Sequence, residues 1–139
     1  MMNVNFPELK NDTIIRAAYG EKTSYVPVWV MRQAGRYLPE FREFRQHHSF
    51  FDICETPELA CEATMLPIRR FPSIDAAIIF SDILVIPKAL GMDVQMVEGV
   101  GPVVDALETP SQIKTKVRTE NNIDAELDYL YKAITLTRH

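Results

Sequence analysis

The chain has 139 residues, of which 47% are hydrophobic and 24% charged, a composition that excludes disordered, collagen-like and coiled-coil proteins. Its length amounts to one domain or part of one. Fifteen Lys and Arg against nineteen Asp and Glu give a net charge of −4, so the chain as a whole is not built to bind nucleic acid, although a local basic site stays open.

Read in chain order, the pattern alternates helix and strand. Asn11, Asp12 and Thr13 supply capping side chains for a helix over Ile14 to Tyr19, and Gly20 supplies its stop. Val26 to Met31 is an almost unbroken apolar run, rich in β-branched and aromatic residues, which predicts a strand buried on both faces with Trp29 in the core. Thr56 followed by Pro57 opens a second helix that runs to about Arg70, bent at Pro67. Asp75 to Phe80 is a second buried-strand candidate, followed by a short helix ending near Leu90 and Gly91. Val94 to Val97 reads as a small extra strand closed by Gly99 to Pro102, and Thr109-Pro110-Ser111 begins another helix. Asp124 to Arg138 is amphipathic, with Leu127, Leu130, Tyr131 and Ile134 on one stripe. There is no internal repeat, low-complexity segment or flexible linker.

Two continuous apolar strands separated by helices predict parallel β/α architecture. Two or three strands neither make a doubly wound sheet nor close a barrel, which takes about 250 residues. The expectation is therefore an α/β fold in which residues 1–139 are the N-terminal part of a single (β/α)8 TIM barrel, incomplete in this chain.

The densest chemistry follows the first apolar run. Arg32, Arg36, Arg42 and Arg45 fall within fourteen positions of an acidic chain, and the guanidinium fork binds carboxylate or phosphate bidentately. Loops at the carboxyl ends of strands build active sites in such folds. Gly35 allows a tight turn or close approach to a ligand. Arg42 and Arg45 read more simply as partners of Glu40 and Glu43 on a solvated helix, whereas Arg32 and Arg36, before the helix-breaking Pro39, read as an anion site. Asp82, just after the second apolar run, either faces the barrel mouth or caps a helix.

Other features carry less. Cys54 and Cys61 form no metal-ligand spacing and read as small, partly buried residues. His47 and His48 are adjacent and point apart. Gly99-Val100-Gly101 lacks the third glycine of a dinucleotide fingerprint. Arg69 and Arg70 fit an exposed helix end. With neither a secretory signal nor a stretch long enough to span a bilayer, the default expectation is a soluble cytoplasmic protein without membrane association.

Trp29 to Glu40, containing Arg-Gln-Ala-Gly-Arg-Tyr, resembles the N-terminal signature of the uroporphyrinogen decarboxylase family, and Ile78 to Leu84 is similar to that family's second signature. Leu66 to Phe71 and Ala133 to Arg138 match as well, so the likeness covers roughly Asn11 to His139. The resemblance implies a (β/α)8 barrel working as a homodimer without metal or organic cofactor. It implies a carboxy-lyase of haem and porphyrin biosynthesis, removing CO2 from the four acetate arms of uroporphyrinogen III to give coproporphyrinogen III. Arg32 and Arg36 match carboxylate-binding arginines, with Gln33 between them. Asp82 matches a central acceptor for the pyrrole N–H groups, and Ile78 and Phe80 match apolar positions near the macrocycle. On this likeness Asp82 and Arg32 are the catalytic candidates. The family barrel is more than twice this length and draws a tyrosine, a serine and a late histidine from its remainder, so this chain is expected to be a fragment inactive by itself. Alternatives are a non-catalytic truncated product and a corrinoid- or folate-related methyltransferase of the same barrel superfamily.

Overall fold

A computed structural model describes residues 6–118 and 122–139. The helix α1 spans Thr13–Ala18; the Asn11 carboxamide oxygen, not Asp12, accepts from the Thr13 N–H at 3.0 Å. Gly20 ends the turn at φ +76°, a left-handed conformation cheap only for glycine. Helix α2 (Pro39–His47) starts at the proline that the sequence suggested as a breaker. The missing N–H of a proline is no loss at a first helical position.

Helix α3 (Phe50–Glu55) was not foreseen, although its signal is present: Ser49 and Asp52 form a reciprocal capping box. Helix α4 (Pro57–Arg70) begins as predicted after Thr56 and continues through Pro67. Helix α5 spans Val85–Ala89. Strands β1 (Val94–Val97) and β2 (Gly101–Val104) form an antiparallel hairpin in the register Val94 to Val104, with Gly99 at φ +79° in its turn. Pro102 is tolerated because a two-stranded ribbon is all edge. Helix α6 spans Pro110–Lys116, α7 Ile123–Glu126 and α8 Asp128–Arg138.

Three expectations are corrected here. Val26 to Met31 and Asp75 to Phe80 form no strand and no ladder, and the described residues contain no barrel, only the β1–β2 hairpin. The two runs touch through the Asp75 N–H, which donates to the Val28 carbonyl at 2.8 Å. Strands of a parallel sheet need a paired neighbour and cover on both faces, and neither run is paired among the described residues. Trp29 is 41% exposed, not core. The predicted helix over 124–138 is divided at Leu127 into α7 and α8.

The core lies where α2, α3 and α4 meet the end of the second apolar run. Leu38, Phe41, Ile53, Cys54, Ala63 and Phe80 are buried there. The Phe80 ring stands 5.4 Å from that of Phe41 and 6.0 Å from that of Phe50, within the range of favourable aromatic pairs. Helix α8 packs along α4, and Ala60, Ala63 and Ala133 are all fully buried, small side chains that let two helix backbones approach closely. The covered face of α8 therefore runs through Leu130, Ala133 and Thr137, while Tyr131 and Ile134 of the predicted stripe are more than 40% exposed.

Asp75 ties the first segment down. Its Oδ1 accepts from the Asn11 side-chain amide at 2.6 Å and from the Tyr25 hydroxyl at 2.5 Å, and its Oδ2 accepts from the Val28 N–H at 2.7 Å. These bonds, Tyr25 first, hold its carboxyl below the usual aspartate range. No helix among the described residues is long and apolar enough to cross a membrane.

Candidate anion site

The Arg32 to Leu38 loop is anchored by its small and apolar members. Ala34 and Leu38 are buried in the core, and the Leu38 N–H donates to the Gly35 carbonyl at 2.9 Å. Gly35 is not in the left-handed region, and a Cβ there would make only ordinary contacts, with the Tyr37 ring at 3.6 Å and the Gln33 carbonyl at 3.9 Å. The turn itself does not demand the glycine.

With those anchors fixed, the polar residues of the loop serve two different cavities. Arg32 and Tyr37 line one of about 320 Å³, with Ile78 and the flank of α4 on its other walls. Gln33 and Arg36 line a second, of about 670 Å³, together with Arg45, Phe80, Ser81 and the β1–β2 hairpin. The predicted residues are thus brought to one loop but divided between two spaces: Gln33, Arg36 and Phe80 share the larger, Arg32 and Ile78 the smaller. Phe80, 2% exposed, belongs chiefly to the core.

Among the described residues neither Arg32 nor Arg36 forms an ion pair. The Arg32 guanidinium lies 5.0 Å from the Tyr37 ring centroid, a contact that holds the side chain without neutralising it. The partners expected for Arg42 and Arg45 are not the ones found. Glu40 pairs with Arg70 across to α4, and Arg45 donates to the His48 carbonyl. Arg69 pairs with Glu62, so both arginines at the end of α4 are exposed yet engaged.

The loop is joined to the second signature through Gln33, whose Oε1 accepts from the Ser81 N–H at 3.2 Å. One residue earlier, the Phe80 N–H donates to the Thr64 hydroxyl at 2.8 Å. Asp82 follows, 6% exposed. Its Oδ1 accepts from the Leu84 N–H at 3.1 Å, an Asx turn ahead of α5 that fulfils part of the capping reading. Its Oδ2 is buried and has no hydrogen-bond partner. A buried carboxylate oxygen left in that state carries a desolvation cost that a donor would relieve. Asp82 lines neither cavity.

Two residues beside it were missed or underrated. Burial, reinforced by the Asp82 charge, pushes the Cys54 thiol up to about 12. Burial also raises the Tyr129 phenol to about 12, with Glu55, Cys54 and Asp82 adding to it. Tyr129 sits off the apolar stripe of the C-terminal helix and has no motif around it, so nothing in the sequence pointed to it. Both cysteines are free, Cys54 buried and Cys61 half-buried, as expected. Among the described residues no group of three or more His, Cys, Asp or Glu is placed to hold a metal ion.

The fold thus sets two arginines without ion pairs on one loop and joins that loop, through Gln33 and Ser81, to the segment that ends in the buried Asp82. The family profile "Uroporphyrinogen decarboxylase (URO-D)" matches residues 9–139, and the chain belongs to that family. It is 57% identical over 136 residues to the uroporphyrinogen decarboxylase of Danio rerio, covering 97% of this chain and 36% of that protein. It is 59% identical over 133 residues to the Homo sapiens protein of the same name, covering 96% and 36%. To the Dictyostelium discoideum protein of that name it is 53% identical over 144 residues, covering 98% and 38%. The chain spans little more than a third of the length of these relatives.

Proposed function

We propose that this chain supplies the carboxylate-binding loop and the central acceptor of a uroporphyrinogen decarboxylase site. The observation that carries the reading is the buried Asp82 Oδ2 without a partner, fixed through Ser81 and Gln33 to the loop that holds Arg32 and Arg36. Uroporphyrinogen presents eight carboxylates around four pyrrole N–H groups, so it needs cations at the rim and an acceptor at the centre. Arg32 and Arg36 orient the carboxylates, Gln33 adds a polar contact beside Arg36, and Ile78 and Phe80 offer apolar wall, Ile78 in the smaller cavity and Phe80 in the larger. In this reading residues 1–139 are the first part of one (β/α)8 barrel domain. The complete protein is a cytosolic homodimer that uses no metal or organic cofactor.

The chemistry requires an electron sink. Direct loss of CO2 from an acetate arm would leave an unstabilised carbanion. Protonating a pyrrole carbon first makes a cationic ring; the carbon–carboxyl bond then breaks, its electrons enter the ring, and CO2 departs. A proton added to the exocyclic carbon and one lost from the ring restore the pyrrole with a methyl arm. Asp82, shielded from water, stabilises the intermediate cation, a contribution of about 3 kcal/mol at comparable preorganised sites. Arg32, a weak acid near neutrality, orients carboxylates, and as proton donor it stands second to that role.

A second reading concerns the chain by itself. Arg32 and Ile78 face a different cavity from Gln33 and Arg36, which supports binding without turnover. Anaerobic incubation with uroporphyrinogen, with products separated by carboxylate number, decides between them. Loss of carboxylates that disappears in Asp82→Ala supports catalysis by the chain; binding that weakens in Arg32→Ala without any decarboxylation supports the non-catalytic reading. Binding indifferent to both substitutions refutes the site.

A further inference from the structure

The N–H groups of Phe80 and Ser81 have no strand to pair with among the described residues. At Phe80 and Ser81 both are satisfied, but by side chains and not by a sheet: the Phe80 N–H by the Thr64 hydroxyl at 2.8 Å and the Ser81 N–H by Gln33 at 3.2 Å. The next residue is Asp82. Gln33 reaches in from an exposed loop, whereas Thr64 is 2% exposed and stands in the middle of α4. Its hydroxyl also donates to the Ala60 carbonyl at 2.7 Å, so the hydrogen is committed to the helix and a lone pair to Phe80. That fixes the rotamer of Thr64 and makes its oxygen part of α4 as a rigid body.

We propose that Thr64 is a positioning residue for Asp82: its buried hydroxyl, bonded at once to the Ala60 carbonyl and the Phe80 amide, sets the depth at which Asp82 holds its unpartnered oxygen. The functional side of this inference rests on Asp82 receiving the substrate N–H groups; the structural side does not. Valine at this site keeps the shape but leaves the Phe80 N–H buried without an acceptor, which is the costly way to lose a hydrogen bond. Serine keeps the acceptor and gives up one methyl group.

The test compares the unsubstituted chain with Thr64→Val and Thr64→Ser by NMR, following Phe80 amide exchange and the carboxyl carbon resonance of Asp82. The expected result is Phe80 exchange faster by about tenfold or more in Thr64→Val, a displaced Asp82 resonance, and restoration of both in Thr64→Ser. An Asp82 resonance that stays in place in Thr64→Val overturns the proposal, and so does a Thr64→Ser variant that behaves like valine, because packing and not the hydroxyl would then be responsible. If Thr64→Val does not fold, the unsubstituted chain still decides. A hydroxyl proton held in this way exchanges slowly enough to be observed, and its absence refutes the bond. Anaerobic titration with uroporphyrinogen separates the two readings. No binding by the unsubstituted chain counts against the decarboxylase site and leaves Thr64 to the resonance data. Binding weakened about tenfold in Thr64→Val and recovered in Thr64→Ser supports both, and binding unchanged despite a displaced Asp82 overturns the functional part.

Discussion

Removing the Phe80 ring tests whether the second signature segment is held by the core or by a ligand. The side chain is 2% exposed and touches the rings of Phe41 and Phe50. Burying a phenylalanine removes about 200 Å² from water, which at about 25 cal/mol per Å² gives an upper value of about 5 kcal/mol. Measured Phe-to-Ala changes in cores cost about 3–5 kcal/mol once the residual cavity is included. Phe80→Ala should therefore lose about 4 kcal/mol, a large part of the stability expected of a domain this size. Phe80→Leu, which refills most of the volume, should lose about 1 kcal/mol. Urea unfolding followed by circular dichroism at 222 nm measures both, with the slope checked for constancy. A loss below about 1 kcal/mol in Phe80→Ala would mean that the ring is not a core member.

Three further outcomes follow from other parts of the chain. The Asp75 carboxyl titrates below its unfolded value because Tyr25, Val28 and Asn11 donate to its charged form. Its contribution is thus present above the unfolded aspartate range and lost as pH falls through the folded value. The melting temperature should drop more steeply on acidification in the unsubstituted chain than in Asp75→Asn, and equal slopes would refute the network. Gly91→Ala should cost about 1–2 kcal/mol, because Gly91 has φ +83° and an added Cβ would lie 2.7 Å from Arg118 Cδ. Adding Arg118→Ala should recover only the steric part in urea unfolding, and full recovery would remove backbone strain from the account. With its thiol pushed up to about 12 and its side chain buried, Cys54 should resist an aromatic disulfide reagent at pH 8. The native chain then reacts at no more than one thiol and the unfolded chain at two; rapid reaction of both in the native state would contradict the burial.

What the sequence made legible was mostly punctuation. Thr56-Pro57, Thr109-Pro110, Gly20 and Gly91 mark helix boundaries because caps and φ requirements are local. The Val26–Met31 and Asp75–Phe80 runs were not legible as to state, because an apolar run says that a segment wants covering and nothing about which neighbours cover it. In α8 the hydropathy pattern favoured Tyr131 and Ile134, but the fully buried residue is Ala133, since close approach of two helices selects for smallness. The Arg-Gln-Ala-Gly-Arg loop and Asp82 were found as a motif. That Gln33 spends its oxygen on Ser81, and that Thr64 lies beneath Phe80, are long-range pairings that no local pattern contains.

The packing of α8 on α4 also bears on the order of assembly. Helices α2, α3 and α4 are neighbours in sequence and close only short loops when they meet, but Ala63 and Ala133 are about 70 positions apart. Chain closure over that span costs more entropy than any local contact in the bundle, and contacts of such separation slow folding. A transition state built on the α2–α3–α4 corner, with α8 docking afterwards, gives φ-values that are high at Ile53 and low at Ala133. The exposed flank of α4 that α8 later covers is then the apolar surface shown to the surroundings during that interval.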